Sequence, residues 1–167
     1  MKIGTIEKIF KFLQNNEGKE IPKKFLNSIE DLKLIEELEN HPDGTQYRYN
    51  GRLDLGYSNI KKLPNDLYVV GSLDLGNCKE LTKLPDKLHV DGYFSIRDTN
   101  IEELPNNLYV DDDFDLDQTN IKELPDNLYV GRELWIYNTP LAMKYTDEKI
   151  YKIVASTGGE IVGKILR

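Results

Sequence analysis

A segment of about 20 residues recurs between residues 51 and 141, and this repeat constrains the fold more than any other feature. Four full copies span residues 51–70, 71–91, 92–111 and 112–131, and a shortened fifth copy, RELWIYNTPL, spans 132–141. A fixed period of this length is typical of a solenoid, in which each copy forms one coil. The coils must stack, because no single coil can bury its own apolar side chains.

Each copy contains two short apolar alternations. Positions 3 and 5 (Leu53 and Leu55 in the first copy) predict the main strand, with one buried face. Positions 17 and 19 (Leu67 and Val69) predict a second, shorter strand, and glycine at position 1 of three copies predicts a corner between the two. Proline at position 14 predicts the outer bend. The Ser, Cys or Thr at position 8 predicts a ladder of side-chain hydrogen bonds to the backbone.

The consensus L-x-L-x-x-(T/S)-x-(I/L)-x-x-L-P-x-x-L resembles the leucine-rich repeat, in the short form found in bacterial effectors and in bacterial and phage proteins. Position 8 departs from those effectors, which usually carry Asn there. The resemblance implies an α/β solenoid of about five coils with a parallel sheet. It also implies non-enzymatic binding of a protein through that sheet, for instance to inhibit or scaffold a target.

The remaining segments predict caps, so that the chain forms one domain with caps at 1–44 and 142–167 and repeats at 45–141. One helix is predicted from Thr5 to about Gln14. A second helix is predicted to start at a capping box, Ser28 with Asp31. Its apolar stripe comprises Ile29, Leu32, Ile35 and Leu38.

Residues 45–50 allow two interpretations. Tyr47 and Tyr49 fall at positions 17 and 19 of the repeat, which predicts that the first coil begins here in degenerate form. Alternatively, YRYNGR, with its Asn-Gly pair, is the wing of a winged helix, and the protein is a nucleic-acid-binding regulator. The second predicted helix is acidic where a recognition helix would be basic.

The segment after Leu141 predicts a helix capped by Thr146 and ended by Gly158-Gly159, followed by a strand in EIVGKILR. These elements would close the far end of the sheet. With both ends covered, we expect a complete stack.

The composition limits the classes of partner that the protein is expected to bind. The net charge of −7 argues against binding a phosphate backbone and favours a partner protein with a basic surface. A single cysteine, Cys78, excludes an internal disulfide and is typical of a reducing compartment. No apolar run is long enough to span a membrane. We therefore expect a cytoplasmic protein of a bacterium or of a phage-infected cell.

The predicted outward positions of the main strand, 2, 4 and 6, carry the candidate binding residues. Nothing in the folding of a sheet requires like carboxylates on neighbouring strands, which repel one another, and Tyr, Trp and Arg are enriched in binding hot spots. The alternative is that the carboxylates only oppose aggregation and that the tryptophan packs under the C-terminal helix. The predicted protein-binding patch comprises Tyr93, Arg97, Asp113, Asp115, Asp117, Trp135 and Tyr137.

Catalytic, metal and cofactor sites are not predicted. In the run DDDFDLD, alternate strand residues are about 7 Å apart, too far for compact calcium coordination. A Cys78–His89 nucleophile pair has no orienting third group. The column Tyr68, His89, Tyr109 and Tyr129 at position 18 predicts stacked rings with a structural role.

Overall fold

A computed structural model describes residues 23–167, which form two parallel sheets of six strands each. Each coil contributes one strand to each sheet, so the predicted α/β solenoid is confirmed. The prediction that the second strand is the shorter one is wrong, because the strands of the main sheet have two residues each and those of the second sheet have two to five. The main sheet comprises β2 (Leu53–Asp54), β4 (Leu73–Asp74), β6 (Phe94–Ser95), β8 (Phe114–Asp115), β10 (Leu134–Trp135) and β12 (Ile165–Leu166). The second sheet comprises β1 (Gln46–Asn50), β3 (Asp66–Val70), β5 (Lys87–Val90), β7 (Tyr109–Val110), β9 (Tyr129–Val130) and β11 (Glu160–Ile161).

Equivalent positions of successive coils lie directly over one another. Leu73 pairs with Leu53 on one side and with Phe94 on the other, and Phe94 pairs with Phe114. All four side chains are buried, and the two phenylalanine rings stack with centroids 4.9 Å apart. The sheets therefore enclose one continuous apolar core.

The predicted corner between the sheets is confirmed, and it depends on glycine. Gly71 has φ +133°, and a Cβ there would lie 2.6 Å from the carbonyl oxygen of Gly51 in the preceding coil. At the end of the fourth repeat copy the glycine moves one position earlier, to Gly131, where a Cβ would overlap the carbonyl oxygen of Asp111. A side chain at either position would force adjacent coils apart.

The predicted ladder at position 8 is also present. The hydroxyls of Thr99 and Thr119 each donate at 2.7 Å to the carbonyl three residues earlier. Cys78 instead donates through Sγ to the carbonyl of Leu55 in the preceding coil, at 3.0 Å. Position 7, just before the ladder, has a left-handed backbone in every repeat copy, at Tyr57, Asn77, Asp98, Gln118 and Asn138.

At the N-terminal end, helix α1 spans Lys23–Glu39, and its Ile35 and Leu38 are buried as predicted. The predicted start at Ser28 is wrong, because Ser28 lies inside the helix. The run KKFLN ahead of Ser28 contains no glycine or proline, so nothing in it stops the helix from starting earlier. The predicted helix at Thr5–Gln14 and the side chain of Ile29 lie outside the residues that the structure describes.

The degenerate first coil is confirmed, since Tyr47 pairs with Leu67 and Tyr49 with Val69. Both tyrosines pack against the core and continue its columns. The wing interpretation of YRYNGR is wrong, because β1 runs parallel to β3 and Asn50-Gly51 forms a corner between sheets and not a hairpin.

At the C-terminal end, Thr146 caps α3 (Asp147–Ser156) as predicted, by accepting from Lys149 N at 3.3 Å. A short helix that was not predicted, α2 (Pro140–Lys144), precedes it. EIVGKILR divides at Gly163 into β11 and β12, which add the last strand to each sheet. Within the described residues, no helix is long and apolar enough to cross a membrane.

Replacing Gly131 by alanine should destabilise the fold by about 1–3 kcal/mol, because the new methyl group collides with backbone and not with a movable side chain. Gly56→Ala is the matched control, since its methyl would make ordinary contacts of 3.4 Å or more and should change stability by less than about 0.5 kcal/mol. Urea unfolding measures both. Equal stabilities would contradict the close approach at the corner.

Candidate functional site

The candidate site is the outer face of the main sheet, formed by positions 2, 4 and 6 of each coil. The strands alternate as predicted, with positions 3 and 5 in the core. The outer positions differ widely in exposure: Tyr137 is 43% exposed, for example, and Asp115 is 3% exposed. Asp115 and Asp117 were predicted to face solvent, but both are buried on this face. Side chains of neighbouring coils, about 5 Å away, cover them.

The side chain at position 4 has a structural role that the sequence did not predict. Asp74 Oδ1 accepts a hydrogen bond from Gly76 N at 3.0 Å, and Asp115 Oδ1 accepts one from Asp117 N at 2.9 Å. Asp54 and Ser95 make the equivalent contact two residues ahead, at 3.2 and 3.3 Å. These side chains satisfy the backbone where each two-residue strand ends. These carboxylates therefore also have a structural role, although the equivalent contact of the Ser95 hydroxyl shows that the role does not require a carboxylate.

Asp115 is the centre of a hydrogen-bonded cluster. Its Oδ2 accepts from the Tyr93 hydroxyl at 3.0 Å and from the Ser95 hydroxyl at 3.3 Å, both on the preceding coil. Burial, with a further contribution from the Asp115 carboxylate, raises the pKa of Tyr93 to about 12. Tyr93 is therefore a neutral donor at physiological pH and holds the carboxylate in place.

Asp117 lies beside this cluster and is 5% exposed. Its Oδ1 accepts from Tyr137 N at 2.7 Å, and its Oδ2 is 3.9 Å from Arg97 Nη1. Burial, followed by the repulsion of Asp115, raises the pKa of Asp117, while Tyr137 N–H and Arg97 oppose the shift. Arg97 thus forms an ion pair with Asp117.

The other predicted residues extend the face towards the C-terminal coils. Asp113 Oδ1 accepts from Glu133 N at 3.0 Å and lies 3.9 Å from Arg132 Nε. Trp135, on the next strand after Asp115, is half-buried. Its indole Nε1 is buried and has no hydrogen-bond partner among the described residues.

A groove of about 580 Å³ crosses this face. It brings together four of the predicted residues, Tyr93, Arg97, Asp115 and Trp135, but not Asp113, Asp117 or Tyr137. It also contains Asp54 and Asp74, which were not predicted, beside Gly56 and Gly76. The sequence signal for the two aspartates and two glycines is the LDLG segment that occurs in the first two copies. In it, glycine at position 6 leaves space next to the carboxylate at position 4.

An arginine of the protein already occupies the rim of the groove. One nitrogen of Arg52, Nη2, lies 3.3 Å from Asp54 Oδ2 and 3.4 Å from Asp74 Oδ2. The Arg52 side chain remains 63% exposed. Carboxylates on two successive coils are therefore close enough for a single guanidinium to bridge them.

The second sheet carries the predicted ring column on its outer face. Tyr68, His89, Tyr109 and Tyr129 stack with centroids 4.2–4.6 Å apart, and the Arg48 guanidinium lies 4.2 Å over the Tyr68 ring. The hydrogen bond that the Tyr109 hydroxyl donates to Asp111 raises the pKa of Tyr109 to about 12. Because the rings cover each other's faces, the column stabilises the stack and leaves mainly ring edges for a partner.

The two residues considered as a nucleophile pair, Cys78 and His89, lie in different surroundings. Cys78 is buried, its thiol is bonded to the Leu55 carbonyl, and burial raises its pKa. His89 lies in the ring column, with Nε2 2.9 Å from Asp91 Oδ1. Among residues 23–167, no group of three or more His, Cys, Asp or Glu side chains has the arrangement of a metal site.

Comparison with protein-family models, with curated proteins and with solved structures finds no match. The function is therefore argued from the chemistry of the groove and of the outer face around it.

Asp117→Asn should become more stable relative to the wild type as pH rises. Because the pKa of Asp117 is raised in the folded wild type, protonation of this carboxylate stabilises the fold. The stability gained in this way is fully present below the usual pKa of 3.8 and is lost as pH rises through the folded-state pKa. The amide oxygen of the introduced asparagine would keep the bond from Tyr137 N without this loss. Urea unfolding between pH 3.5 and 7 measures the difference, and a difference independent of pH would contradict the burial of an ionisable Asp117.

Tyr109→Ala should cost about 1–3 kcal/mol of stability, because it removes two ring stacks worth about 0.5–1.5 kcal/mol each. Tyr109→Phe is the matched control. It keeps both stacks, loses only the hydrogen bond to Asp111, and should cost about 1 kcal/mol or less. Equal losses in thermal or urea unfolding would show that the stacking does not contribute.

Proposed function

We propose that the protein is a non-enzymatic recognition module that binds a partner protein with a basic surface through the outer face of the main sheet. The observation that carries this proposal is the groove, whose charged lining comprises three carboxylates, those of Asp54, Asp74 and Asp115, and one guanidinium, that of Arg97. An excess of fixed negative charge attracts a basic surface and disfavours an acidic one.

Preorganisation supports the proposal. The carboxylates of Asp54, Asp74 and Asp115 are each fixed by a hydrogen bond to a backbone N–H two residues ahead. They project from a sheet whose strands pair in constant register. A partner would lose little free energy in ordering these groups, since they are ordered before it arrives.

The resemblance to short leucine-rich repeats supports the same face, because the parallel sheet is the usual contact surface in proteins of that kind. It also motivates the proposal that the protein acts in the cytoplasm of a bacterium or a phage-infected cell. Covering a basic surface would block whatever that surface otherwise contacts, so we propose inhibition of the target as the consequence of binding.

The location of binding is testable with a photo-crosslinking residue, p-benzoylphenylalanine, in place of Tyr137. Tyr137 is exposed on the outer face of the main sheet, and the new side chain is also aromatic. Irradiation in lysate of the source cell should give adducts with a basic protein. The same residue in place of Lys83, exposed on the bend between the sheets, is the control and should give none.

The double variant Asp54→Asn/Asp74→Asn should then reduce the Tyr137 adducts about 5–30-fold, because two charges are removed at on the order of 0.5–1 kcal/mol each. The amide oxygens would still accept from Gly56 N and Gly76 N, so the strand ends stay intact. Asp86→Asn/Asp126→Asn, the same charge change at exposed residues outside the groove, should leave the adducts unchanged. Adducts only from position 83, or equal losses in both double variants, would contradict the proposal.

A further inference from the structure

Tyr57 is a strongly exposed aromatic residue at the N-terminal end of the groove. It lines the groove together with Asp54 and Gly56, and it is 77% exposed. Tyr57 belongs to the first repeat copy, whereas the exposed Tyr137 belongs to the fifth, so the two lie about 20 Å apart along the main sheet. A partner that covers both must present a surface and not a single side chain.

The backbone of Tyr57 is left-handed, with φ +59°. The stacking of the coils imposes this conformation, because Tyr57 N donates to Gly76 O of the next coil at 2.8 Å and Ser58 N donates to Leu55 O at 3.0 Å. Position 7 is left-handed in the other four copies too, where the residue is Asn, Asp or Gln. The repeat therefore sets the backbone here, whatever the side chain is.

Tyrosine suits this conformation poorly. A bulky side chain is disfavoured in the left-handed region, whereas Asn and Asp are enriched there because their short polar side chains bond to the local backbone. The second and fifth copies carry such a residue, Asn77 and Asn138. Asparagine in place of Tyr57 would thus fit the coil better, and strain of this kind is typical of residues retained for function.

The ring of Tyr57 offers a partner what the carboxylates cannot. Tyr57 shares the groove with Asp54 and Asp74, which attract basic residues. Charges at an interface mainly select and orient the partner, whereas aromatic rings that become covered supply much of the binding free energy. A tyrosine also provides a large contact area while only two torsions lose their freedom.

We infer that Tyr57 is the apolar anchor of the interface, and that the partner surface carries an apolar patch flanked by basic residues. This inference rests on the proposed function and specifies the surface of the partner. The patch covers the Tyr57 ring, while the basic residues face Asp54 and Asp74.

Tyr57→Asn separates this role from a structural one. Because asparagine suits the left-handed backbone, the melting temperature of the variant should equal that of the wild type or exceed it by about 2–4 °C. The yield of Tyr137 adducts in lysate of the source cell should nevertheless fall at least about fivefold. Tyr57→Phe is the matched control, which keeps the ring and should leave both the melting temperature and the yield close to their wild-type values.

Salt distinguishes the ring from the carboxylates. Raising NaCl from about 0.1 to 1 M shortens the screening length from about 10 to 3 Å. The loss caused by Tyr57→Asn should persist, because an apolar contact is not screened by salt. The loss caused by Asp54→Asn/Asp74→Asn should shrink.

Three outcomes would overturn the inference. A lower melting temperature of Tyr57→Asn would show that the fold requires the tyrosine, and an unchanged adduct yield would show that the partner does not cover it. Disappearance of the wild-type adducts at 1 M NaCl would show that charge alone holds the partner. In each case the proposed function stands if the adducts in low salt still depend on Asp54 and Asp74, and it is wrong if they do not.

Discussion

The structure depends on parallel backbone hydrogen bonds that hold successive coils in constant register. Leu53 N donates to Ser72 O at 2.8 Å, and Leu73 N repeats the contact to Tyr93 O at the same distance. The second repeat copy carries one extra residue, but the chain absorbs it beyond Cys78, outside both sheets, so the strands stay aligned. Every column of the molecule, whether aliphatic, aromatic or acidic, is a consequence of this register.

The same register creates an electrostatic problem on the outer face, because equal side chains are placed about 5 Å apart. Asp115 shows how the problem is contained. Three donors, from Tyr93, Ser95 and Asp117, surround its carboxylate. The adjacent Asp117 accepts from Tyr137 N and lies near Arg97, but burial still raises its pKa. The same carboxylates thus accept hydrogen bonds from the backbone at the strand ends and leave excess negative charge on the surface.

The sequence predicted the features that depend on the residue pattern within a single coil. The period-2 alternation identified the buried residues of the main strand, and the match of Tyr47 and Tyr49 to positions 17 and 19 of the repeat identified the first coil. Two features that depend on neighbouring coils were missed. The burial of Asp115 involves side chains of the preceding coil, and the groove is lined by residues from all five repeat copies. Likewise, the Ser28 capping box was a local signal that the continuing helix overrode.

The two sheets differ in how their outer aromatic side chains are arranged. In the second sheet, Tyr109 is stacked on both sides, so its ring faces are already buried against His89 and Tyr129. On the main sheet, the neighbours of Trp135 on the adjacent strands are Asp115 and Leu166, and no ring among residues 23–167 stacks on it. Ring stacking therefore stabilises the second sheet, whereas on the main sheet the outer side chains at position 4 stabilise the strand ends by hydrogen bonds to the backbone.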